Sequence, residues 1–203
     1  MECLRDIPRL TRVIDFVILV EAVVALLLVI SFITISNQLL LGAQQNCTRG
    51  WYVTGYFIPV EGNYNGSKQI IKVIAPNSAV QNRTFYKLFL HEVRVEGWGK
   101  TVAGDYIGLV TNDKQWHSAS NPTGAGGEPL TRNTVAVDPN IIKMGQQLII
   151  PTLPEPWNTI TLNAADVGPD IKGKHVDVYT GEGKNAGEET RRITGHDNQL
   201  CFM

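Results

Sequence analysis

Residues 164–183 read AADVGPDIKGKHVDVYTGEG, two short β-prone runs separated by a glycine- and proline-bearing turn. Each run brings an aspartate: Asp166 closes the first, and Asp177 sits inside the second between Val176 and Val178. Strands disfavour aspartate unless something compensates. With side chains alternating along a strand, Val176 and Val178 facing a core put Asp177 on the opposite side, toward solvent or a groove. The sequence spacing permits both carboxylates to reach one groove wall.

The rest of the chain beyond residue 50 has the same texture. Short apolar alternations punctuated by Gly, Pro and Asn predict strands in WYVTGYFIPV (51–60), KQIIKVIA (68–75), TFYKLFLHEVRVEGWG (84–99), YIGLVT (106–111), NTVAVD (133–138), QQLIIP (146–151), TITLNAAD (159–166) and KHVDVYT (174–180). The expected class is all-β. One short helix is expected at GKNAGEETRRI (183–193), with Glu188 and Glu189 opposite Arg191 and Arg192 at turn spacing. NPTGAGGEPLTRN (121–133) is the longest loop signal, of the kind that is either disordered or lines a site.

The N-terminus is different. Residues 16–36, FVILVEAVVALLLVISFITIS, form a nearly unbroken apolar run of the length a bilayer-spanning helix needs, roughly 20 residues. Arg5, Arg9 and Arg12 precede it and no Lys or Arg follows until Arg49, which predicts a single-pass anchor with a cytoplasmic N-terminus. The expected organisation is a cytoplasmic segment 1–15, a transmembrane helix 16–36, a linker 37–49 and an extracytoplasmic domain 50–203. Glu21, inside the run, has two readings: contact with a partner helix or lipid headgroup, or reach to the inner interface. Three of the 18 basic and four of the 19 acidic residues precede Gly42, so the remainder is net neutral and offers no nucleic-acid surface. Cys47 and Cys201 both fall on the oxidising side and are expected to pair, the alternative being two free thiols. Asn46, Asn65 and Asn82 stand in Asn-X-Ser/Thr triplets.

Familiar nucleophile, zinc-protease, phosphate-loop and Cys-x-x-Cys signatures are missing from the sequence, and His91, His117, His175 and His196 show no metal-ligand spacing. No metal or cofactor is expected. What remains is aspartate at strand ends: Asp138, Asp166 and Asp177. Asp138, before Pro139, also reads as a simple turn residue.

TVAVDPNIIKMGQQLIIP (134–151), AADVGPDIKG (164–173) and KHVDVYTGEGKNAGEE (174–189) together resemble the three-aspartate (3D) domain, most closely as it occurs in the membrane-bound lytic transglycosylase A family. Residues 133–188 carry the resemblance best; YVTGYFIPV (52–60) and VEGWGKTVAGDYIGL (95–109) extend it loosely. It implies a six-stranded double-psi β-barrel acting on a cell-wall polysaccharide such as peptidoglycan. Asp177 matches the sole catalytic acid and base, Asp166 its acidic partner, Asp138 the first of the three aspartates, and Lys172 and Gly173 the turn between the last two. The usual Asp-Thr-Gly-Gly-Ala-Ile-Lys-Gly reads here Asp-Val-Gly-Pro-Asp-Ile-Lys-Gly, so Val167 lacks a hydroxyl, Pro169 stiffens the turn and Asp170 adds charge. The family also inserts a second domain that completes its substrate groove, for which this chain is expected to lack room.

The chemistry is consistent with one acid. A carboxylic acid delivers a proton to a leaving glycosidic oxygen near neutral pH only if its pKa is raised, and two converging aspartates repel each other into that state. Hydrolases then need a second carboxylate, whereas a transglycosylase lets the sugar's own 6-hydroxyl attack. Trp98 and Tyr179, with Trp116 and Tyr106, are candidate sugar-stacking faces, and Asp138 and Lys172 candidate substrate contacts. The leading expectation is a tethered glycan-cleaving enzyme; the alternative is an inactive glycan-binding or structural module, an accessory subunit held in the membrane through its helix.

Overall fold

A computed structural model describes residues 26–28, 31, 46–110 and 114–203. It divides into a unit ending at Gln45 and a unit of Asn46–Met203. In the first, Leu26–Leu28 and Ser31 are helical and the three leucines are exposed. The rest of the expected span 16–36, with Glu21, lies outside the described residues. Among the described residues no helix is long and apolar enough to cross a membrane.

The second unit contains a closed barrel of six strands in the order β1 (Asn46–Ile58), β10 (His175–Glu182), β7 (Thr134–Val137), β9 (Leu162–Asp166), β8 (Gln147–Ile149), β11 (Gly195–Phe202). β1–β10 and β7–β9 pair in parallel, the other neighbours antiparallel. Period-two alternation makes the barrel. Val53, Val135, Val137, Leu162, Ala164, Val176, Val178 and Leu200 point inward with no exposure and pack on Trp157, Ile150 and Trp51. Closure leaves the barrel itself no free sheet edge to recruit another chain.

The barrel is tied where its first and last strands meet. Cys47 lies opposite Cys201 in the β1–β11 register, and the two form the expected disulfide across a sequence separation of 154. In the chain-entropy account, closing a loop of that length stabilises the fold by about 5 kcal/mol. The helix expected at 183–193 is α2 (Gly183–Ile193), and Arg192 grips Glu189 through two hydrogen bonds of 2.9 and 2.6 Å. It packs across β1 at Gly55, where an added Cβ would lie 2.8 Å from the Thr190 Cα.

Between β1 and β7 the chain builds a second sheet, ordered β3-β2-β6-β5-β4, from β2 (Lys68–Ile74), β3 (Val80–Tyr86), β4 (Trp98–Lys100), β5 (Tyr106–Val110) and β6 (Gln115–Ala119). This corrects the expectation that the chain has no room for an inserted layer. The run 84–99 is not one strand either: β3 ends at Tyr86, and Lys87–Glu96 form helix α1. Phe89, Leu90 and Val93 share one helical face and pack on Ile71, Val73, Phe85, Ile107 and Trp116. Gly97, at φ 89°, terminates the helix in a conformation open to glycine. Gly99 follows in β4, where a side chain would collide with Val93 and Phe89. The helical period of the apolar residues was masked by β-branched Val93 and Val95 beside a true strand.

The two layers meet on the outer side of the barrel. Tyr56, Ile58, Ala136, Ile171 and Tyr179 from the barrel pack with Tyr106 from β5, with Trp98 and Leu130 against them. Lys100 to Glu182 at 2.7 Å and Tyr106 hydroxyl to Glu182 at 2.6 Å bind the seam.

Candidate active site at the seam

Strand register sets the site. Thr54 on β1 lies beside Asp177 on β10, Asp177 beside Ala136 on β7, and Ala136 beside Asp166 on β9. These four residues make one row across four adjacent strands. With two strand spacings of 4.8 Å between them, the Asp177 and Asp166 backbones are about 10 Å apart. Val176 and Val178 face the core, so Asp177 faces outward, as the alternation requires.

Each carboxylate has its own hydroxyl. Thr54 Oγ1 donates to Asp177 Oδ1 at 2.6 Å. Tyr56, two residues along β1 on the same face, donates its hydroxyl to Asp166 Oδ2 at 2.9 Å. Tyr56 and the small Ala136 belong to one buried cluster. Asp166 Oδ1 accepts the backbone N–H of Val167 and of Ala125, both at 2.9 Å. Ala125 belongs to the loop 121–133, which therefore lines the site. Gly124 comes so close that a Cβ there would lie 2.5 Å from the Ala165 carbonyl.

The electrostatics separate the two aspartates. Asp177 is pushed up to about 6, first by burial and then by the charge of Asp166, against the lowering effect of Thr54. Repulsion between the aspartates is thus the lesser cause, and no hydrogen bond joins them. Burial and the neighbouring Asp166 raise the Tyr56 phenol far above its ordinary range, so it stays a donor. A further carboxylate faces this seam. Glu96, at the end of α1, accepts the Phe57 N–H at 3.1 Å and is raised to about 7, by burial foremost and by the Asp177 and Glu92 charges.

The other expected contacts are placed elsewhere. Asp138 is 6% exposed and fully engaged: Oδ1 accepts from Asn140 N and Nδ2 at 3.0 and 2.9 Å, and Oδ2 from Gly173 N at 2.8 Å. It fastens the end of β7 to the turn before β10. Lys172 is exposed on that turn and acts electrostatically on Asp138. Tyr179, on the same face as Asp177, is 5% exposed because the inserted sheet covers it, and it packs on Tyr56 at 5.4 Å between ring centroids. Trp98 is half-buried with its indole N–H on the Thr123 carbonyl at 2.9 Å, and Trp116 and Tyr106 are buried.

Sequence reasoning passed over Thr54, Tyr56, His175 and Glu96. Three carried a signal: Thr54 and Tyr56 share a face of β1, and His175 stands two residues before Asp177 on the same face. Glu96 carried none, since only the fold brings α1 to this seam. Among the described residues no group of three His, Cys, Asp or Glu side chains is arranged to hold a metal ion.

Comparison with known proteins bears on this geometry. The 3D domain family model matches residues 133–196. Those residues are a 3D domain. They supply β7, β8, β9, β10 and α2, and with them Asp138, Asp166 and Asp177. Among solved structures, Escherichia coli MltA with bound chitohexaose is similar at a TM-score of 0.57 and 18% identity, over 76% of this chain and 72% of that one. The membrane-bound lytic murein transglycosylase from Agrobacterium tumefaciens is similar at a TM-score of 0.52 and 14% identity, over 75% and 73%. The fold is therefore that of the MltA-like double-psi barrels. Coverage of that extent takes in the inserted sheet as well as the 3D domain. No curated protein sequence matches the chain.

Proposed function

We propose that the protein is a lytic transglycosylase-like enzyme that cleaves murein glycan strands, with Asp177 as its single acid and base. The observation that carries this reading is Asp177 itself: outward-facing on a barrel strand, partly buried at a seam between two layers, and raised to about 6. An acid with that pKa is protonated often enough to protonate a glycosidic oxygen and, once ionised, basic enough to take the proton of an attacking 6-hydroxyl. The likeness to MltA holding chitohexaose supports a glycan as the substrate class. The inserted sheet supports it too, because it gives the barrel face a second wall.

In this reading Asp177 protonates the leaving oxygen while the 6-hydroxyl of the sugar being cleaved closes on that same sugar's anomeric carbon. The 6-hydroxyl proton then passes to the Asp177 carboxylate, which restores the acid and leaves an anhydro-sugar end. Asp166, fixed by Tyr56, Ala125 and Val167, supplies negative charge that favours the developing oxocarbenium ion. Anchoring by residues 16–36, with the enzyme domain on the outer side of the membrane, belongs to the same proposal and rests on the apolar run and its basic flank.

The experiment is release of anhydro-sugar ends from purified murein by the full chain and by Asp177→Asn. Wild type should release them, and the variant should lose on the order of 10²–10⁴-fold in turnover while keeping its fold. A wild-type chain that binds murein and releases no anhydro-sugar would instead establish a glycan-binding module.

A further inference from the structure

The hydrogen-bond chain behind Asp177 does not end at Thr54. Thr54 Oγ1 is also 2.9 Å from His175 Nε2, and His175 Nδ1 is 3.3 Å from the Asp170 carbonyl oxygen. The imidazole packs against one ring, tilted on Tyr52 at 4.6 Å between centroids, and Tyr52 is stacked in turn on His196 at 4.1 Å. The Asp170 carbonyl can only accept, so Nδ1 carries a hydrogen. In the neutral imidazole Nε2 is then an acceptor, and the single hydrogen of the Thr54 hydroxyl is contested by Nε2 and by Asp177 Oδ1.

We propose that His175 is a positioning residue that acts through a rotating Thr54 hydroxyl, holding Asp177 protonated until the proton is delivered. With Asp177 protonated, its O–H donates to Thr54 Oγ1 and Thr54 donates to His175 Nε2, so every hydrogen in the chain is used. When Asp177 gives its proton to the leaving oxygen, the Thr54 O–H turns from Nε2 to Oδ1 and stabilises the new carboxylate. When the carboxylate takes the 6-hydroxyl proton, Thr54 turns back. No proton passes onto the imidazole, and the count is unchanged over the cycle. The role described rests on the catalytic reading of Asp177, whereas the hydrogen-bond chain itself does not.

The charged and titratable groups around the chain agree with a neutral imidazole. Burial, first, and then His196 lower His175, against the raising effect of Asp170. Asp177 is faced by Thr54 from β1, Asp166 from β9 and Glu96 from α1, and Tyr56 stays a neutral donor. No cation among these groups pulls Asp177 toward its ionised form.

The sign of one substitution tests the proposal. His175→Phe keeps a ring against Tyr52 and removes the acceptor, freeing Thr54 to donate permanently to the Asp177 carboxylate. The Asp177 titration, read by carbon NMR of aspartate-labelled full chain, should fall by about one pH unit. Thr54→Val removes that donor and should move the titration up, and adding His175→Phe to Thr54→Val should change nothing more. A rise in His175→Phe would make His175 a cationic partner, and no movement would make it structural; either overturns the proposal. So would additive shifts in the double variant. The NMR titration needs no substrate, so failure of the chain is told apart from failure of the catalytic reading, which wild-type murein release decides. If both stand, the alkaline limb of kcat/KM should move with the NMR value.

Discussion

Asp138 directly follows β7, Asp177 sits on the neighbouring strand β10, and their surroundings have opposite effects. Three N–H groups point at Asp138, two of them from the backbone, and its carboxyl is held below the ordinary range by the Gly173 and Asn140 amides. Asp177 meets one hydroxyl and is pushed up to about 6. Backbone N–H groups cannot turn away, so they commit a carboxylate to its charged form. A hydroxyl donates to the charged form and accepts from the neutral one, leaving both within reach. The first environment suits a fastening and the second a group that changes charge.

The largest effect expected from this contrast is in stability. A folded-state pKa of about 6 against an ordinary 3.8 means the native state holds the Asp177 proton more tightly than the unfolded chain. That advantage is complete below pH 4 and is lost as pH rises through 6, so ionised Asp177 costs about 3 kcal/mol near pH 8. Asp177→Asn should therefore be more stable than wild type by up to that amount at pH 8, with the gap closing toward pH 4, in urea unfolding. An equal or lower stability at pH 8 would mean that Asp177 is better solvated than the seam allows.

A smaller effect of opposite sign is expected at Asp138. Asn in its place puts an NH2 group against one of the N–H donors, so the turn before β10 loosens. Asp138→Asn should melt a few degrees below wild type at neutral pH. Because the native carboxyl is depressed, its contribution is present above the ordinary carboxylate range and vanishes as pH falls through its folded pKa. The two profiles should thus converge in acid. A neutral melting point equal to wild type would leave Asp138 free for substrate.

The same contrast explains what could be read in advance. Asp177 announced itself by breaking the Val176–Val178 alternation, and the barrel by the valine and leucine positions around it, because a period of two is written in neighbouring residues. The disulfide was legible from the expected membrane topology and the two cysteine positions, and α2 from its Glu and Arg spacing. Asp138 looked like a turn residue and also like a substrate contact; the Gly173 N–H that binds it is 35 residues away and was not legible in the neighbouring residues. Tyr179 was read as a sugar face because the layer that buries it was not foreseen. That layer was missed with α1, whose ten residues lie between β3 and β4 and read as one long strand.

Glu96 is the residue on which that oversight bears most, and it gives the finest test. It is raised to about 7 and feels the Asp177 charge, whereas the rise of Asp177 comes from burial and Asp166. Asp177 is therefore expected to lose its proton first, with Glu96 still largely neutral while it does so. The coupling should look lopsided. In Glu96→Gln, whose carbonyl still accepts the Phe57 N–H, Asp177 should titrate within about half a unit of its wild-type value. In Asp177→Asn, Glu96 should titrate lower than in wild type, because the carboxylate that repelled it is gone. Carbon NMR of both carboxyls across pH 4–9 measures the two shifts together. A fall of a full unit at Asp177 in Glu96→Gln would reverse the order of ionisation, and Glu96 would then share the task of keeping Asp177 protonated.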